Sequence, residues 1–294
     1  MANVLVGNDP GAPLLEVTGS AIELQFNAGT LVCVTGAHTE PVLAGRPVPT
    51  WDPFLVEADA TLTVPAPVRG WRVYIAVADG LRGRELFGSV SPDPMLGVGR
   101  RLSSGDRLDL SSCLCGFTHP HLVHPLFRLG ARRPSWGSTA VVDVTPGPEL
   151  DEFDEEELQG PWTVTPQSDQ IGLRVEGATP SRRSRSEILS RGVPVGAVEV
   201  PPDGGLLVLL RGRLVTAGYP VPYVAGSVAT DTLGQLRPGA SLVLRRIDVA
   251  DAVRQVLAGR RELAEVAERA STALRASGLA QKRGAISTPA SSRD

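Results

Sequence analysis

One short loop, residues 216–220, brings together three groups that can do chemistry. Thr216 carries a hydroxyl, Gly218 leaves the backbone uncovered, and Tyr219 carries a phenol. The hydroxyl and the phenol can donate hydrogen bonds, and a glycine lets a substrate approach the main chain, so the set suits a carboxylate or a developing oxyanion. The alternative is that Gly218 only serves a turn and Tyr219 packs in the core. Loops held by a rigid sheet often carry function, and from the residues alone both interpretations stay open.

A second polar group stands at residues 168–170, with the sequence Ser-Asp-Gln. Asp169 could orient an arginine or accept a proton in a reaction. Ser and Asp also favour an Asx-type turn, here just ahead of a strand predicted over residues 171–175. Both interpretations of Asp169 stay open.

Two charged residues follow on that strand. Arg174 and Glu176 are two positions apart, so their side chains share one face of the strand. This spacing favours a structural ion pair that reaches across to a neighbouring strand. The other possibility is that Arg174 binds a substrate.

Most of the Cys and His residues of the chain fall within one short stretch. Thiolates and imidazoles at such a density can in principle hold zinc. The spacing is not that of a C-x₂-C motif, however, and the stretch contains two prolines, so we favour a surface loop with incidental histidines. The residues concerned are Cys113, Cys115, His119, His121 and His124.

Composition excludes several kinds of chemistry for this sequence. Its only lysine is Lys282, so a P-loop lysine, a Schiff-base lysine within a folded core and a biotinylated carrier lysine are not expected. If ATP or carboxybiotin takes part in the reaction, another subunit must bind it. The formal net charge of −3 suggests no nucleic-acid partner. Three cysteines, with no signal peptide and no apolar run of membrane length, favour a cytoplasmic protein that does not contact a membrane.

The segments that must position these residues are predicted to be strands. Short β-rich runs separated by Gly, Pro, Asn and Asp are typical of a barrel or a sandwich, so we predict a mainly β chain in two halves. Asp248 is suited to cap a final amphipathic helix. The predicted organisation is a first half over 1–110, an irregular linker over 111–138, a second half over 139–247, the C-terminal helix over 248–276 and a disordered tail over 277–294.

The strands next to the 216–220 loop have the clearest pattern. Residues 195–200 are β-rich, and the sequence Pro-Pro-Asp-Gly-Gly at 201–205 has the chemistry of a turn. Residues 206–210 are apolar at every position, which indicates a strand that is covered on both faces.

These blocks, in this order, resemble the family of biotin-dependent carboxyltransferases and C-type subunits of 5-oxoprolinase, also called allophanate hydrolase subunit 2. The similar segments are VGN at 6–8, RVYIAVADG at 72–80, SDQIGLRVEG at 168–177, GAVEVPPDG at 196–204, TAGYP at 216–220 and LRPGA at 236–240. Each block alone is a weak signal, but as an ordered set they are specific and extend to about Ile247.

The resemblance implies a fold, a reaction and a set of site residues. It implies two cyclophilin-like β-barrel halves, and a hetero-oligomer with a second family subunit, similar to the B-type subunit of 5-oxoprolinase. ATP and Mg would act at the level of that complex, on a small amide such as 5-oxoproline or a urea- or allophanate-like compound. The implied catalytic residues are Thr216, Gly218, Tyr219 and Asp169, and the implied substrate-binding residues are Ser168, Gln170, Arg174, Glu199, Arg213 and Pro220.

The chain departs from the family pattern mainly at polar positions. Gln170 replaces an arginine, and Glu199 and Leu214 each replace a glutamine. A segment with QDxGRxG and GAMD motifs, which the family carries ahead of its LVGN block, is not in the printed sequence, so either the start lies further upstream or this member is shortened. A second function therefore stays open, that of a catalytically degenerate regulatory or scaffold protein that binds a partner subunit.

Overall fold

The computed structural model describes residues 1–93, 96–114, 117, 119–121, 127–184 and 186–279, and the backbone of 283–285. It divides the chain into two compact units. Unit 1 comprises residues 1–134 together with 262–294, and unit 2 comprises residues 135–261. No helix of the described residues is long and apolar enough to cross a membrane.

Unit 1 begins with the short helix α1, Ala2–Leu5, and continues as strands. Two four-stranded sheets hold most of them, in the orders β1-β8-β3-β6 and β2-β7-β4-β5. The strands are β1 Leu15–Thr18, β2 Ile22–Gln25, β3 Thr30–His38, β4 Val42–Leu43, β5 Arg46–Pro47, β6 Phe54–Val56, β7 Thr61–Val64, β8 Arg69–Val77, β9 Leu81–Arg82, β10 Asp109–Leu110 and β11 Ser112–Leu114.

Both sheets of unit 1 contribute to one core. Alternate residues of β3 and β8, such as Val32, Val34 and Ile75, pack with Leu62 and Val64 of the second sheet. This is the period-2 burial expected when one face of each sheet is covered by the other. Phe127 and Leu129 are also buried in unit 1, so part of the segment expected as a linker belongs to its core.

Unit 2 contains a closed seven-stranded barrel with the strand order β12-β19-β16-β17-β14-β13-β20. Between its strands lie a 3₁₀ turn, Leu150–Glu152, and the helices α2, Glu155–Gln159, and α3, Ser227–Leu233. The strands are β12 Thr139–Pro146, β13 Trp162–Val164, β14 Gly172–Glu176, β15 Arg191–Gly192, β16 Ala197–Glu199, β17 Leu206–Leu209, β18 Thr216–Ala217, β19 Tyr223–Ala225 and β20 Ser241–Arg246.

Alternation along β16 and β17 decides which side chains fill the barrel. Val198 and Val208 point inward, where they pack with the fully buried Trp162 and Tyr223. Their neighbours in sequence therefore point outward. Gly204 and Gly205, in the turn between the two strands, have φ of 87° and 68°, which explains the Gly-Gly pair of the predicted turn.

A long helix follows the barrel. Helix α4 runs over Val249–Ala276, and its start is capped by Asp248, whose Oδ1 accepts a hydrogen bond from Asp251 N at 2.6 Å. Val266, Ala270 and Leu274 are buried in unit 1. Beyond it, Leu279 is also buried there, so packed chain continues past residue 277, and a last strand, β21 Arg283–Ala285, pairs with β11. The rest of the expected tail lies outside the described residues.

The mainly β architecture with a barrel and a C-terminal helix is thereby confirmed. Most described strands of the first half form two facing sheets, whereas most of those of the second half close into a barrel.

Candidate functional site

A small two-stranded ribbon covers part of the outer face of the unit 2 barrel. β15 pairs with β18 in the register Arg191↔Ala217 and Gly192↔Thr216. Ala217 packs with Leu209 and Val221 in an apolar cluster outside the barrel. The strand over 206–210 is consequently covered on both faces, by the barrel core on one side and by the ribbon on the other.

The predicted 216–220 loop is the second strand of this ribbon and the residues that follow it. Thr216 is exposed, and Tyr219 is 40 % exposed, so the alternative that Tyr219 packs in the core is wrong. A Cβ added at Gly218 would lie only 3.1 Å from the carbonyl oxygen of Ile188, which accounts for glycine here by close packing. Pro220 contributes its carbonyl oxygen, which accepts a hydrogen bond from Val200 N at 3.0 Å.

The ribbon is tied to the barrel by a buried acid that the sequence did not reveal. Glu149 is 8 % exposed, and its Oε2 accepts hydrogen bonds from Arg191 Nη2 at 2.5 Å and from Val221 N at 2.9 Å. Arg213 joins the two segments that flank the ribbon strands, because its Nε donates to Val193 O at 3.0 Å. Glu149 and Val221 are 72 positions apart, and no local pattern signals such a contact.

Glu199 lies on the outer face of β16, and its side chain is covered there. It is 1 % exposed, and its Oε1 has no hydrogen-bond partner. Burial raises the pKa of this carboxyl from 4.5 to about 7, because removing it from water disfavours the charged form. Near neutral pH a substantial fraction of Glu199 is therefore a neutral acid, which can donate as well as accept a hydrogen bond.

Residues 168–170 form a turn beside the barrel. Asp169 Oδ1 accepts hydrogen bonds from Ile171 N at 2.7 Å and Gly172 N at 3.3 Å, and Ser168 Oγ contacts both the N and the O of Arg174. These are the bonds of the Asx-type turn interpretation. Gln170 is exposed, and its carbonyl oxygen accepts a hydrogen bond from Gly212 N at 3.1 Å, which joins this turn to the segment that leads into the ribbon.

Arg174 does not form the ion pair expected from its spacing. It is exposed on β14 opposite Leu207 of β17, and neither Arg174 nor Glu176 takes part in a salt bridge within the described part of the chain. The physical reason is that the residue opposite Arg174 is apolar. Its guanidinium is consequently available to solvent or to a ligand.

The structure thus places the predicted site residues in two neighbouring groups of unit 2. The ribbon group holds Thr216, Gly218, Tyr219, Pro220 and Arg213, with the added Glu149–Arg191 pair. The turn group holds Ser168, Asp169, Gln170 and Arg174, and Glu199 lies on the strand beyond Leu207.

The Cys- and His-rich stretch is described only in part. Cys113 lies in β11, and His121 N donates to His119 Nδ1 at 3.1 Å, whereas Cys115 and His124 lie outside the described residues. Among the residues that are described, no group of three or more His, Cys, Asp or Glu side chains could hold a metal ion.

A separate shallow cleft of about 540 Å³ lies near the start of α4. None of the predicted site residues lines it, and two of its charged side chains are already paired, Arg246 with Glu155 and Asp251 with Arg254. It offers less free polar chemistry than the ribbon. The lining residues are Pro146, Arg246, Ile247, Asp248, Val249 and Asp251.

Comparison with known proteins gives a consistent result. The family model described as "Carboxyltransferase domain, subdomain A and B" matches residues 1–246. The chain is 33 % identical to the C-type subunit of 5-oxoprolinase from Escherichia coli over 75 % of this chain and 70 % of that protein. It is 28 % identical to the corresponding 5-oxoprolinase subunit of Haemophilus influenzae, over 86 % of this chain and 81 % of that protein.

Solved structures agree on the fold. The crystal structure of TTHA0988 superposes with a TM-score of 0.71 at 33 % identity, over 83 % of this chain and 48 % of that chain. The Kluyveromyces lactis urea carboxylase gives a TM-score of 0.80 at 22 % identity, over 90 % of this chain and 25 % of that chain. The present chain therefore spans about half of the first and a quarter of the second. On the family match and the identity to the Escherichia coli protein, the chain belongs to the carboxyltransferase domain A and B family, in which it is similar to the C-type subunit of 5-oxoprolinase.

Proposed function

We propose that this protein is a subunit of an ATP-dependent complex that acts on a small cyclic or linear amide, 5-oxoproline or a urea- or allophanate-like compound. The reaction is hydrolysis of, or carboxyl transfer to, that amide, and it takes place in the cytoplasm. The observation that carries the proposal is an exposed hydroxyl and phenol, Thr216 and Tyr219, on a ribbon held against a rigid barrel, in a chain whose relatives include a 5-oxoprolinase subunit.

The ribbon is suited to stabilise negative charge on an attacked carbonyl. Thr216 and Tyr219 are both exposed and each carries a hydroxyl donor, and the N–H of Gly218 lies between them in sequence. The Glu149–Arg191 pair restricts movement of the ribbon against the barrel. Donors that are already in place need little reorganisation when charge develops, which is the main source of their effect. Asp169 and Ser168 shape the neighbouring turn; a proton-accepting role for Asp169 stays a prediction.

ATP and Mg belong to other subunits in this proposal. The sequence has one lysine, Lys282, which comes after all the barrel motifs in sequence, so the usual lysine of a phosphate-binding loop is not supplied here. A partner similar to the B-type subunit of 5-oxoprolinase completes the complex.

The test is to co-express the chain with its partner subunits and measure ATP hydrolysis that depends on substrate. We expect ADP release with 5-oxoproline or with urea, and loss of at least tenfold in kcat for T216A combined with Y219F. Exposed Arg237, in unit 2 but not assigned to the site, offers the matched control R237Q, which should retain full activity. Absence of ATP turnover on 5-oxoproline and on urea-type substrates by the wild-type complex would refute the proposal.

A second candidate function is that of a non-catalytic scaffold. Val249, Val253 and Leu257 form an exposed apolar stripe on the first half of α4, being 64 %, 50 % and 49 % exposed. Residues four apart lie on one helix face, and such a stripe is typical of a protein interface. If V253E with L257E abolished copurification of a partner while T216A with Y219F left every activity of the complex unchanged, the scaffold function would replace the enzymatic one.

A further inference from the structure

A tight turn in unit 1 holds an aromatic side chain in solvent. Leu86 and Ser89 form an antiparallel bridge that is closed by two hydrogen bonds, from Leu86 N to Ser89 O at 2.8 Å and from Ser89 N to Leu86 O at 3.0 Å. Phe87 and Gly88 are the two residues of the turn between them, and Phe87 is 94 % exposed. We call residues 83–90 the tip hairpin.

The backbone of Phe87 is in the left-handed region. Phe87 has φ of 51° and Gly88 has φ of 78°, and positive φ at both central residues is the pattern of a type I′ turn. Asn-Gly is the favoured pair in such a turn, whereas a bulky aromatic residue at positive φ is an outlier. Because Phe87 is also exposed, packing within the fold does not account for it. An outlier of this kind points to a role in binding.

Other apolar side chains of the tip hairpin are exposed beside Phe87. Leu86 and Val90 are each 38 % exposed. The two arms of the hairpin run side by side, because a Cβ added at Gly83 would lie 3.2 Å from the Cβ of Val90. Single exposed apolar residues are ordinary, but several on one short hairpin form a patch that is typical of an interaction site. Since an aromatic side chain buries about 150–250 Å², Phe87 would dominate such a contact.

The segment around the tip hairpin has a weak positive charge. Residues 82–109 carry five arginines and four acidic residues. Arg100 is paired with Asp106, whereas Arg84, Arg101 and Arg107 take part in no ion pair in the described part of the chain. The patch therefore has free guanidinium groups close to it in sequence, which acidic groups of a partner would complement.

A pocket on a folded protein suits this surface better than a membrane or a second copy does. Lasting attachment to an anionic membrane needs a cluster of cations beside the apolar anchor, and a net charge of about +1 over residues 82–109 does not supply one. A symmetric contact of hairpin against hairpin between two copies would bring their free arginines together, which is unfavourable. One projecting aromatic residue with polar groups around it is the usual anchor of a protein interface.

We propose that Phe87 anchors this chain in an apolar pocket with an acidic rim on its partner subunit; this inference rests on the partner of the proposed function. The ring of Phe87 fills the pocket, Leu86 and Val90 cover its edge, and Arg84 and Arg101 bind the acidic groups of the rim. The two hydrogen bonds of the turn hold the ring in its exposed position before binding, which lowers the entropy that docking costs.

Replacement of Phe87 by asparagine separates binding from folding. Asn is the preferred residue at this position of a type I′ turn, so F87N should keep or raise the midpoint of urea denaturation. In a titration of the full chain with the purified partner subunit, F87N should weaken binding at least tenfold. F87W keeps an aromatic anchor and should bind within about threefold of the wild type. Val68, 64 % exposed in unit 1 outside the hairpin, offers the matched control V68N, which should bind as the wild type does.

The acidic rim is tested by ionic strength. R84Q combined with R101Q should slow association with the partner subunit at least threefold at low salt. At about 1 M salt, where the Debye length is about 3 Å, the double variant and the wild type should associate at the same rate. An equal effect of the double variant at both salt concentrations would overturn the rim.

Three other results would overturn the inference. The first is partner affinity that F87N leaves unchanged, or a wild-type chain that does not bind the partner subunit. The second is binding of the wild type, but not of F87N, to vesicles of equal parts phosphatidylcholine and phosphatidylserine, which would make a membrane the occupant. The third is a dimer of the wild-type chain in sedimentation experiments that F87N abolishes, which would make a second copy the occupant.

Failure of this inference can be told from failure of the proposed function. If the wild-type complex turns over 5-oxoproline or urea while F87N binds the partner subunit as tightly as the wild type, the docking role falls and the enzymatic role stands. If the complex turns over neither substrate, yet the partner subunit binds the wild type and not F87N, the enzymatic role falls and the docking role stands.

Discussion

Replacing Glu199 by glutamine should remove a large part of the pH dependence of unit 2 stability. The carboxyl is 1 % exposed and its pKa is raised from 4.5 to about 7 by burial. A group with a raised pKa in the folded state binds its proton more tightly there than in the unfolded chain. Its contribution to stability is therefore fully present below about pH 4.5 and is lost as the pH rises through about 7.

The size of the effect follows from the two pKa values. At 1.36 kcal/mol for each pH unit between them, the loss amounts to about 3 kcal/mol from pH 4.5 to pH 9. E199Q cannot ionise, so its free energy of unfolding should lack this loss. The difference between wild type and E199Q isolates Glu199, because all other titrating groups, including Asp231 with its raised pKa, are common to both proteins.

Urea denaturation followed by tryptophan fluorescence is the appropriate measurement. Trp162 is fully buried in the barrel core, so its fluorescence should change when unit 2 unfolds. E176Q, changed at an exposed position two residues from Arg174, should show the wild-type dependence on pH. If wild type and E199Q lost equal stability between pH 4.5 and pH 9, Glu199 would be ionised in the folded protein and the reasoning from its burial would be wrong.

Three further outcomes are expected. G196A should destabilise unit 2 by about 2 kcal/mol or more in the same denaturation assay, since Gly196 has φ of 86° and an added Cβ would lie 2.3 Å from Ala225 O. The control G239A has a similar φ but open space around the added Cβ, so it should destabilise unit 2 by less. R191M should leave the buried Glu149 with only Val221 N as a partner and lower the stability of unit 2 by about 1–3 kcal/mol. Proteolysis within residues 188–218 should become faster, and unchanged cleavage would show that the Glu149–Arg191 pair does not hold the ribbon. Y219F should change stability by less than about 0.5 kcal/mol, because the Tyr219 side chain is partly exposed. It should lower the kcat of the active complex by about tenfold or more, and an unchanged kcat would exclude the phenol as an oxyanion donor.

Local patterns were sufficient for the strands and turns of the second half. The unbroken apolar run at 206–210 predicted a strand covered on both faces, and the Pro-Pro-Asp-Gly-Gly sequence predicted the turn before it. In each case the chemistry that decides the structure lies within a few residues. Asp248 as a helix cap was predictable for the same reason.

The features that make the site distinctive depend on distant contacts. Alternation alone puts Glu199 on the outer face of its strand, which would normally mean solvent, yet Glu199 is only 1 % exposed in the folded protein. The Glu149–Arg191 pair joins residues 42 positions apart, and the ion pair expected for Arg174 does not form because Leu207 happens to lie opposite. No periodicity in one sequence specifies which strand will lie beside another.

The discontinuous make-up of unit 1 bears on the order of events during synthesis. Its second core joins Ala2, Val4 and Leu5 to Val266, Ala270 and Leu274 of α4, so all of unit 2 is inserted between two parts of one hydrophobic cluster. On the ribosome, every strand of the barrel is available before residues 262–276 emerge. The barrel can therefore close while part of unit 1 still exposes apolar surface, because the cluster that the N-terminal segment shares with α4 is completed only after the barrel strands have emerged.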